Sequence, residues 1–190
     1  MNVMLQTPIL IALGGNLPSK AGPPEATLRA ALDLLTERGV AIEAVSRFYD
    51  TPCFPPGAGP DYVNAAVRVG FAGSAAELLT RMHDVETEFG RARETRWGRR
   101  TLDLDLIAMG DTVLPDVATH RRWRDLDPGE QRRVAPDRLI LPHPRLQERG
   151  FVLIPLLDVA PGWRHPVEML TVREMAENLP ESAVKEVIPR

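Results

Sequence analysis

Cysteine is nearly absent. Cys53 is the only one, so no disulfide can form within the chain, and a reducing compartment is expected. Aromatic residues are scarce at 5%, with three Trp, two Tyr and five Phe. A sheet that binds RNA by stacking needs more rings than that on its central strands. Neither sign of charge dominates: 23 Lys+Arg against 26 Asp+Glu leave −3, too little for a basic field that recruits nucleic acid. No apolar run approaches the ~20 residues of a membrane helix. The segment from Met1 to Pro8 carries no basic run of the signal-peptide kind. These absences point to a cytoplasmic protein. There is also no Walker loop, no Gly-x-Gly-x-x-Gly and no serine nucleophile elbow, which removes the common nucleotide-binding and hydrolase scaffolds.

What is present reads as one domain over residues 1–190, a length that can bury a real core. Ile9 to Leu13 is a continuous apolar run ending at Gly14-Gly15, the pattern of a buried central strand. A helix with Leu28, Leu32 and Leu35 on one face follows, opened by Pro23-Pro24 and closed by Gly39. Val40 to Tyr49 alternates as a strand, and the prolines of 51–57 force a loop. Val63, Ala65, Val67 and Val69 share one face of the next strand. Ser74 and Glu77 form a capping box for a helix striped by Leu78, Met82, Val85 and Phe89. A further strand, Leu102 to Leu106, completes the order β-α-β-β-α-β. That order predicts a ferredoxin-like α/β (α+β) core: a mostly antiparallel sheet with helices packed on it. Residues 111–138 break the rhythm and read as a long irregular loop insertion, expected to be mobile until a ligand binds. Short helices are expected over 151–159 and 171–178.

The most informative stretch is Asp103-Leu104-Asp105. On a strand, Leu102, Leu104 and Leu106 enter the core while both carboxylates point the other way. Two carboxylates on one face repel unless a cation compensates them. Hard oxygen ligands with no Cys or His in the motif favour magnesium. An arbitrary Asp-x-Asp is more often a solvated pair, but the apolar flanks imply a central strand, where solvation is not on offer. Arg91, Arg93, Arg96, Arg99 and Arg100 lie just upstream, with Trp97 among them. Such clusters are commonly solvated turns. Next to a metal pair, their planar forks suit phosphate oxygens.

Tyr62 and Asn64 share the other face of their strand. Asn is uncommon mid-strand, and its amide offers donor and acceptor together, matching a heterocycle's edge. His143, held between Pro142 and Pro144, has a stiff backbone, and Arg149 and Phe151 follow it. Alone, each of these would be read as structural.

Together with Leu13-Gly14-Gly15-Asn16-Leu17, Ser46 to Pro52, Asp61 to Val67 and Arg149-Gly150-Phe151, these motifs resemble the 6-hydroxymethyl-7,8-dihydropterin pyrophosphokinases of folate biosynthesis. The resemblance covers roughly residues 9–160 apart from the insertion. It implies transfer of pyrophosphate from ATP to the pterin alcohol with release of AMP, by a diphosphokinase acting on small molecules. It implies two magnesium ions on Asp103 and Asp105, and catalytic roles for Arg91 and Arg100. Arg91, Arg93, Arg96, Trp97, Arg100, His143 and Arg149 match positions on the ATP side, with Glu86 in support. Thr51, Pro52, Phe54 and Asn64 match pterin-site positions, with Tyr62 and Phe151 as the two rings around the pterin. Gly15 stands where the family usually has Ser, and Pro144 where Tyr is frequent. A monomer is expected. The competing reading is a non-catalytic ferredoxin-like module that binds nucleotides or RNA, disfavoured by the charge and the scarcity of rings.

Overall fold

The computed structural model describes residues 8–53, 57, 59–90 and 100–190, with the side chains of 128, 131 and 132 outside that set. Strand β1 (Ile9–Gly15) is buried along its whole length, as its apolar run requires. Helix α1 (Pro24–Glu37) follows, with Leu28, Leu32 and Leu35 buried and Gly39 at φ +83° just beyond its end. The expected strand over 40–49 is interrupted, giving β2 (Ala41–Val45) and β3 (Tyr49–Thr51). Ser46 causes the break. Its N–H donates to the Ala66 carbonyl at 2.9 Å while its hydroxyl accepts from the Ala66 N–H at 2.9 Å. Strand β4 (Tyr62–Gly70), helix α2 (Ala75–Glu88) and strand β5 (Asp103–Met109) complete the core. Both reciprocal bonds of the Ser74–Glu77 capping box are made.

The sheet order is β5-β1-β4-β3, with β2 also on β4, and every pairing is antiparallel. This is the ferredoxin-like arrangement that the element order predicts. The two faces carry separate cores. Ile9, Ile11 and Leu13 pack with Val63, Ala65, Val67, Leu104 and Leu106 under α1 and α2. On the opposite face Leu10, Ala12, Ala66 and Ile107 lie under α5 (Gly150–Val159) and α6 (Val172–Glu177). Strand alternation thus sends β4 and β5 leucines and valines one way and their polar residues the other.

The 111–138 insertion differs from the irregular loop expected. It forms two short helices, α3 (Val117–Arg124) and α4 (Pro128–Arg133), capped by Asp116 and Asp127. Leu114 and Leu141 close its base by pairing backbones at 2.9 and 3.2 Å. Nor is it loosely held: His120 is fully buried, and Arg124 pairs with Glu168 from the C-terminal segment. An eight-residue helix with one buried side chain leaves no apolar stripe to read. Helix α7 (Glu181–Lys185) and strand β6 (Ile188–Pro189) were not anticipated, and β6 adds to β3 at the sheet edge.

One long-range tie joins the two ends of the second core. Asp158 on α5 accepts from the Tyr49 hydroxyl at 2.8 Å, the Arg47 N–H at 3.0 Å and the Arg47 guanidinium at 3.0 and 3.2 Å. These bonds hold the Asp158 carboxyl below the usual carboxylate range although burial opposes them. Burial and the neighbouring Asp158 charge push the Tyr49 hydroxyl up to about 12. Asp158→Asn should destabilise the fold by about 1–2 kcal/mol, the net worth of hydrogen bonds to a half-screened charge. Urea unfolding at neutral pH checks this. Because the folded pKa is depressed, the wild-type advantage is full above pH 3.8 and fades as pH falls below it.

Candidate active site

A row of residues crosses four strands on the α5 side of the sheet. In register, Asp103 of β5 faces Gly14 of β1, Gly14 faces Asn64 of β4, and Asn64 faces Tyr49 of β3. One step along, Asp105 faces Ala12. Thr51 pairs with Tyr62, so the Thr-Pro loop leaves the sheet beside this row. The sheet thereby brings Asp103, Asp105, Thr51, Tyr62 and Asn64 to one surface. Phe151 belongs to the first turn of α5, which covers the same face, and it is 41% exposed, open enough to meet a ligand.

Gly14 makes the row possible. A Cβ there would stand 2.7 Å from the Asn64 Oδ1, so only glycine lets the amide lie across β1. Asn64 is buried, and its Nδ2 donates to the Thr51 Oγ1 at 2.6 Å. Gly15 points to the other face, where a Cβ would come within 2.5 Å of the Thr101 carbonyl. A serine at position 15 would therefore require the backbone before β5 to sit further away.

Asn16, too brief a signal in sequence, ties two loops together. Its N–H donates to the Arg100 carbonyl at 2.9 Å and its Oδ1 accepts from the Arg100 N–H at 2.9 Å. Its Nδ2 donates to the Pro60 carbonyl at 3.1 Å. The chain entering the Asp strand and the chain entering β4 are thus fastened to one buried side chain.

Cationic arginines brace the carboxylates. Arg100 forms an ion pair with Asp103, and the Arg149 Nη1 stands 3.9 Å from Asp105. The expected carboxylate repulsion is balanced in this way within the chain itself. Burial pulls the Arg149 guanidinium down, with Asp105 opposing, and the guanidinium lies 5.7 Å from the centre of the Phe151 ring. Burial raises the Tyr62 hydroxyl, while the nearby Arg100 charge lowers it.

His143 closes the far end. Its N–H donates to the Ile107 carbonyl at 2.8 Å, and its Nδ1 accepts from the Arg145 N–H at 3.1 Å. Nδ1 being an acceptor, the neutral ring keeps its proton on Nε2. Burial, then the charges of Arg149 and Arg145, push the ring down to about 3, so at neutral pH it is an uncharged N–H donor. Glu86 approaches from the helix side of the sheet, where its Oε1 accepts from the Leu104 N–H at 2.8 Å and steadies the Asp strand. Pro52 is exposed at the loop's start. Phe54, Arg91, Arg93, Arg96 and Trp97 lie outside the described residues.

Asp103 and Asp105 supply hard oxygen donors and nothing softer. Among the described residues no cluster of three His, Cys, Asp or Glu gathers to enclose a metal. A cation here must draw its other ligands from water and from a bound molecule, which is how magnesium is held when its partner is a phosphate chain. The donor set fits that ion.

The sheet defines the class first: a ferredoxin-like α/β protein. A Plasmodium falciparum HPPK-DHPS crystal structure superposes with a TM-score of 0.61 over 90% of the chain. At 14% identity that likeness shows the fold alone, and the chain spans 44% of that protein's length. The profile of the 7,8-dihydro-6-hydroxymethylpterin-pyrophosphokinase (HPPK) family matches residues 10–161. The chain is 35% identical over 181 residues to the 2-amino-4-hydroxy-6-hydroxymethyldihydropteridine pyrophosphokinase of Synechocystis, covering 95% of this chain and 80% of that one. The Pseudomonas aeruginosa protein of the same name is 34% identical over 159 residues, 83% of each chain. The chain belongs to the HPPK family.

Gly14→Ala tests the row directly. The added methyl must displace the Asn64 amide and break its bond to Thr51, at a cost of about 1–3 kcal/mol as for other overpacked core sites. The variant should unfold at lower urea, and the Asn64 side-chain amide resonances should move. Unmoved resonances would mean the amide does not lie over β1.

Proposed function

We propose that this chain transfers the pyrophosphoryl group of ATP to the hydroxymethyl oxygen of 6-hydroxymethyl-7,8-dihydropterin, releasing AMP. The observation that carries the reading is the row Asp103–Gly14–Asn64, with the Asp105 carboxylate beside it. A charge-handling end and an amide-lined end share one sheet surface under α5. The new bond joins the pterin oxygen to the β-phosphorus, and the bond from that phosphorus to the α-phosphate oxygen breaks. AMP leaves with that oxygen.

Asp103 and Asp105 would hold magnesium, in two ions on this reading, which when bound neutralises phosphate charge and acidifies the attacking hydroxyl. Arg100 exchanges its Asp103 contact for a phosphate oxygen, and Arg149 supports the same charge from Asp105's side. Arg91, Arg93, Arg96 and Trp97 serve the ATP side on this reading. His143 donates its Nε2–H on the nucleotide side. Its depressed basicity and donor tautomer remove it as a general base. Glu86 contributes by fixing the backbone of β5. On the other side Asn64 and Thr51 read the pterin's polar edge, Tyr62 and Phe151 take its two faces, and Pro52 and Phe54 serve the pterin side on this reading. Positioning and charge stabilisation then supply most of the rate. The chain acts as a monomer in the cytoplasm, consistent with its single cysteine, which is buried. Among the described residues no helix is long and apolar enough to cross a membrane.

AMP formation from ATP that depends on the reduced hydroxymethylpterin is the direct test. ATP turnover indifferent to the pterin would overturn the assignment. Asp103→Asn and Asp105→Asn should each abolish turnover at millimolar magnesium. Their melting temperatures should change little, since each removes repulsion and an arginine contact together. Tyr62→Ala and Phe151→Ala should each weaken pterin binding by about 1–3 kcal/mol, as for a base stacked on a ring. Calorimetry with a non-hydrolysable ATP analogue should show nucleotide affinity nearly unchanged. Equal loss of both ligands would make these rings structural.

A further inference from the structure

Two histidines outside the site meet in the interior, and their hydrogen bonds fix which nitrogen carries each proton. His120 comes from α3 in the insertion, and His165 from the segment between α5 and α6. Both are fully buried. Their rings meet edge to face with centroids 5.4 Å apart, and Trp163 flanks His165 at 5.7 Å. The His120 Nε2 lies 3.0 Å from the Pro142 carbonyl, so Nε2 donates and Nδ1 is left as an acceptor. The His165 Nδ1 accepts from the Val167 N–H at 3.1 Å and the Glu168 N–H at 3.2 Å, so its proton is on Nε2. Among the described residues, the two buried side-chain nitrogens with no hydrogen-bond partner are His120 Nδ1 and His165 Nε2, one acceptor and one donor. A metal between them is disfavoured, because His165 would have to give up the proton that its backbone contacts place on Nε2.

The carbonyl that His120 holds belongs to the residue before His143. We propose that His120 is a positioning residue for the nucleotide side of the site: in its neutral, Nε2-protonated form it anchors the Pro142 carbonyl and so aims His143, while His165 keeps its Nδ1 unprotonated. This rests on the reading of His143 as a nucleotide-side donor. The insertion is then the strut through which His143 is aimed.

The surroundings favour the neutral form. Burial lowers the His120 basicity below its usual 6.5, with Arg124 adding to the effect and the Pro142 carbonyl, Glu168 and Asp125 opposing it. His165 is pushed down to about 4 by burial, His120 and Arg124, against Glu168. A proton taken up on His120 Nδ1 would put a charge into a buried space near Arg124 and Glu168. The Nε2–H that anchors the Pro142 carbonyl is present in the neutral ring and is kept if the ring is protonated, so the anchoring rests on the placement of the ring and its tautomer.

The test compares His120→Leu with His120→Gln, whose amide can keep the donation to Pro142 but cannot titrate. His120→Leu should raise the KM for ATP about three- to tenfold, the scale of one hydrogen bond, with kcat and the pterin KM within about twofold. His120→Gln should restore the KM. A His120→Gln variant with the same raised ATP KM as His120→Leu would overturn the proposal. So would equal damage to both substrates' KM. If His120→Leu does not fold, nitrogen-15 spectra of the wild-type imidazoles decide: a proton on His120 Nδ1 refutes the arrangement, and one on Nε2 in both rings supports it. His143→Ala separates the two readings. If that change leaves the ATP KM alone, the nucleotide-side role of His143 fails and the positioning role falls with it. If it raises the KM while His120→Leu does not, only the positioning role fails.

Discussion

Asp103 and Asn64 flank Gly14 because β1 pairs with β5 on one side and with β4 on the other. Slipping either ladder by one residue would turn a carboxylate or the amide into the leucine- and valine-lined core. Neither could be solvated there, so the same alternation that builds the first core also fixes the site. The register is doubly determined. Leu104 and Leu106 must face α1 and α2, and Asp103 and Asp105 must not. Gly14 then supplies the one place in the row where a neighbouring side chain can cross the strand.

Charge balance is the second constraint. Two carboxylates on one strand face would raise each other's pKa if nothing compensated them. Arg100 and Arg149 do so from opposite directions, one three residues before Asp103 and one at the start of α5. Among the described residues each carboxylate thus stands beside an arginine instead of being the bare anion that the sequence alone suggested. That favours an occupant bringing both signs, a cation for the carboxylates and an anion for the arginines, over either ion alone.

Local patterns made the core legible. The capping box at Ser74–Glu77, the stripe of Leu28, Leu32 and Leu35, and the alternation through β4 and β5 each depend on residues within a few positions of one another. Element order then gave the topology, and the apolar flanks gave the face on which Asp103 and Asp105 lie. What escaped was long-range. Asn16 reaches Arg100 and Pro60, separated from it by 84 and 44 residues. Asp158 grips Tyr49 across 109. No periodicity encodes such partners, and an isolated Asn or Asp reads the same with or without them. The insertion escaped for a related reason. Its helices begin at ordinary Asp caps, but a single buried histidine, not a stripe, docks them.

The insertion also shows how a loop added at a sheet's end can become part of a site without contributing a ligand. Its base is closed by Leu114 and Leu141, so the core ladders are complete whether or not the intervening residues pack. What the intervening residues add is one donor to the Pro142 carbonyl and one ion pair to Glu168. Both contacts restrain segments that the core alone leaves less determined: the stretch leading to His143 and the turn between α5 and α6. A backbone carbonyl at such a position needs a partner if it is buried. The fold meets that need with the Nε2–H of a buried imidazole. A histidine, stacked edge to face on a second histidine of fixed tautomer, ties the stretch before His143 to the placement of a ring that is fully buried and outside the row of carboxylates.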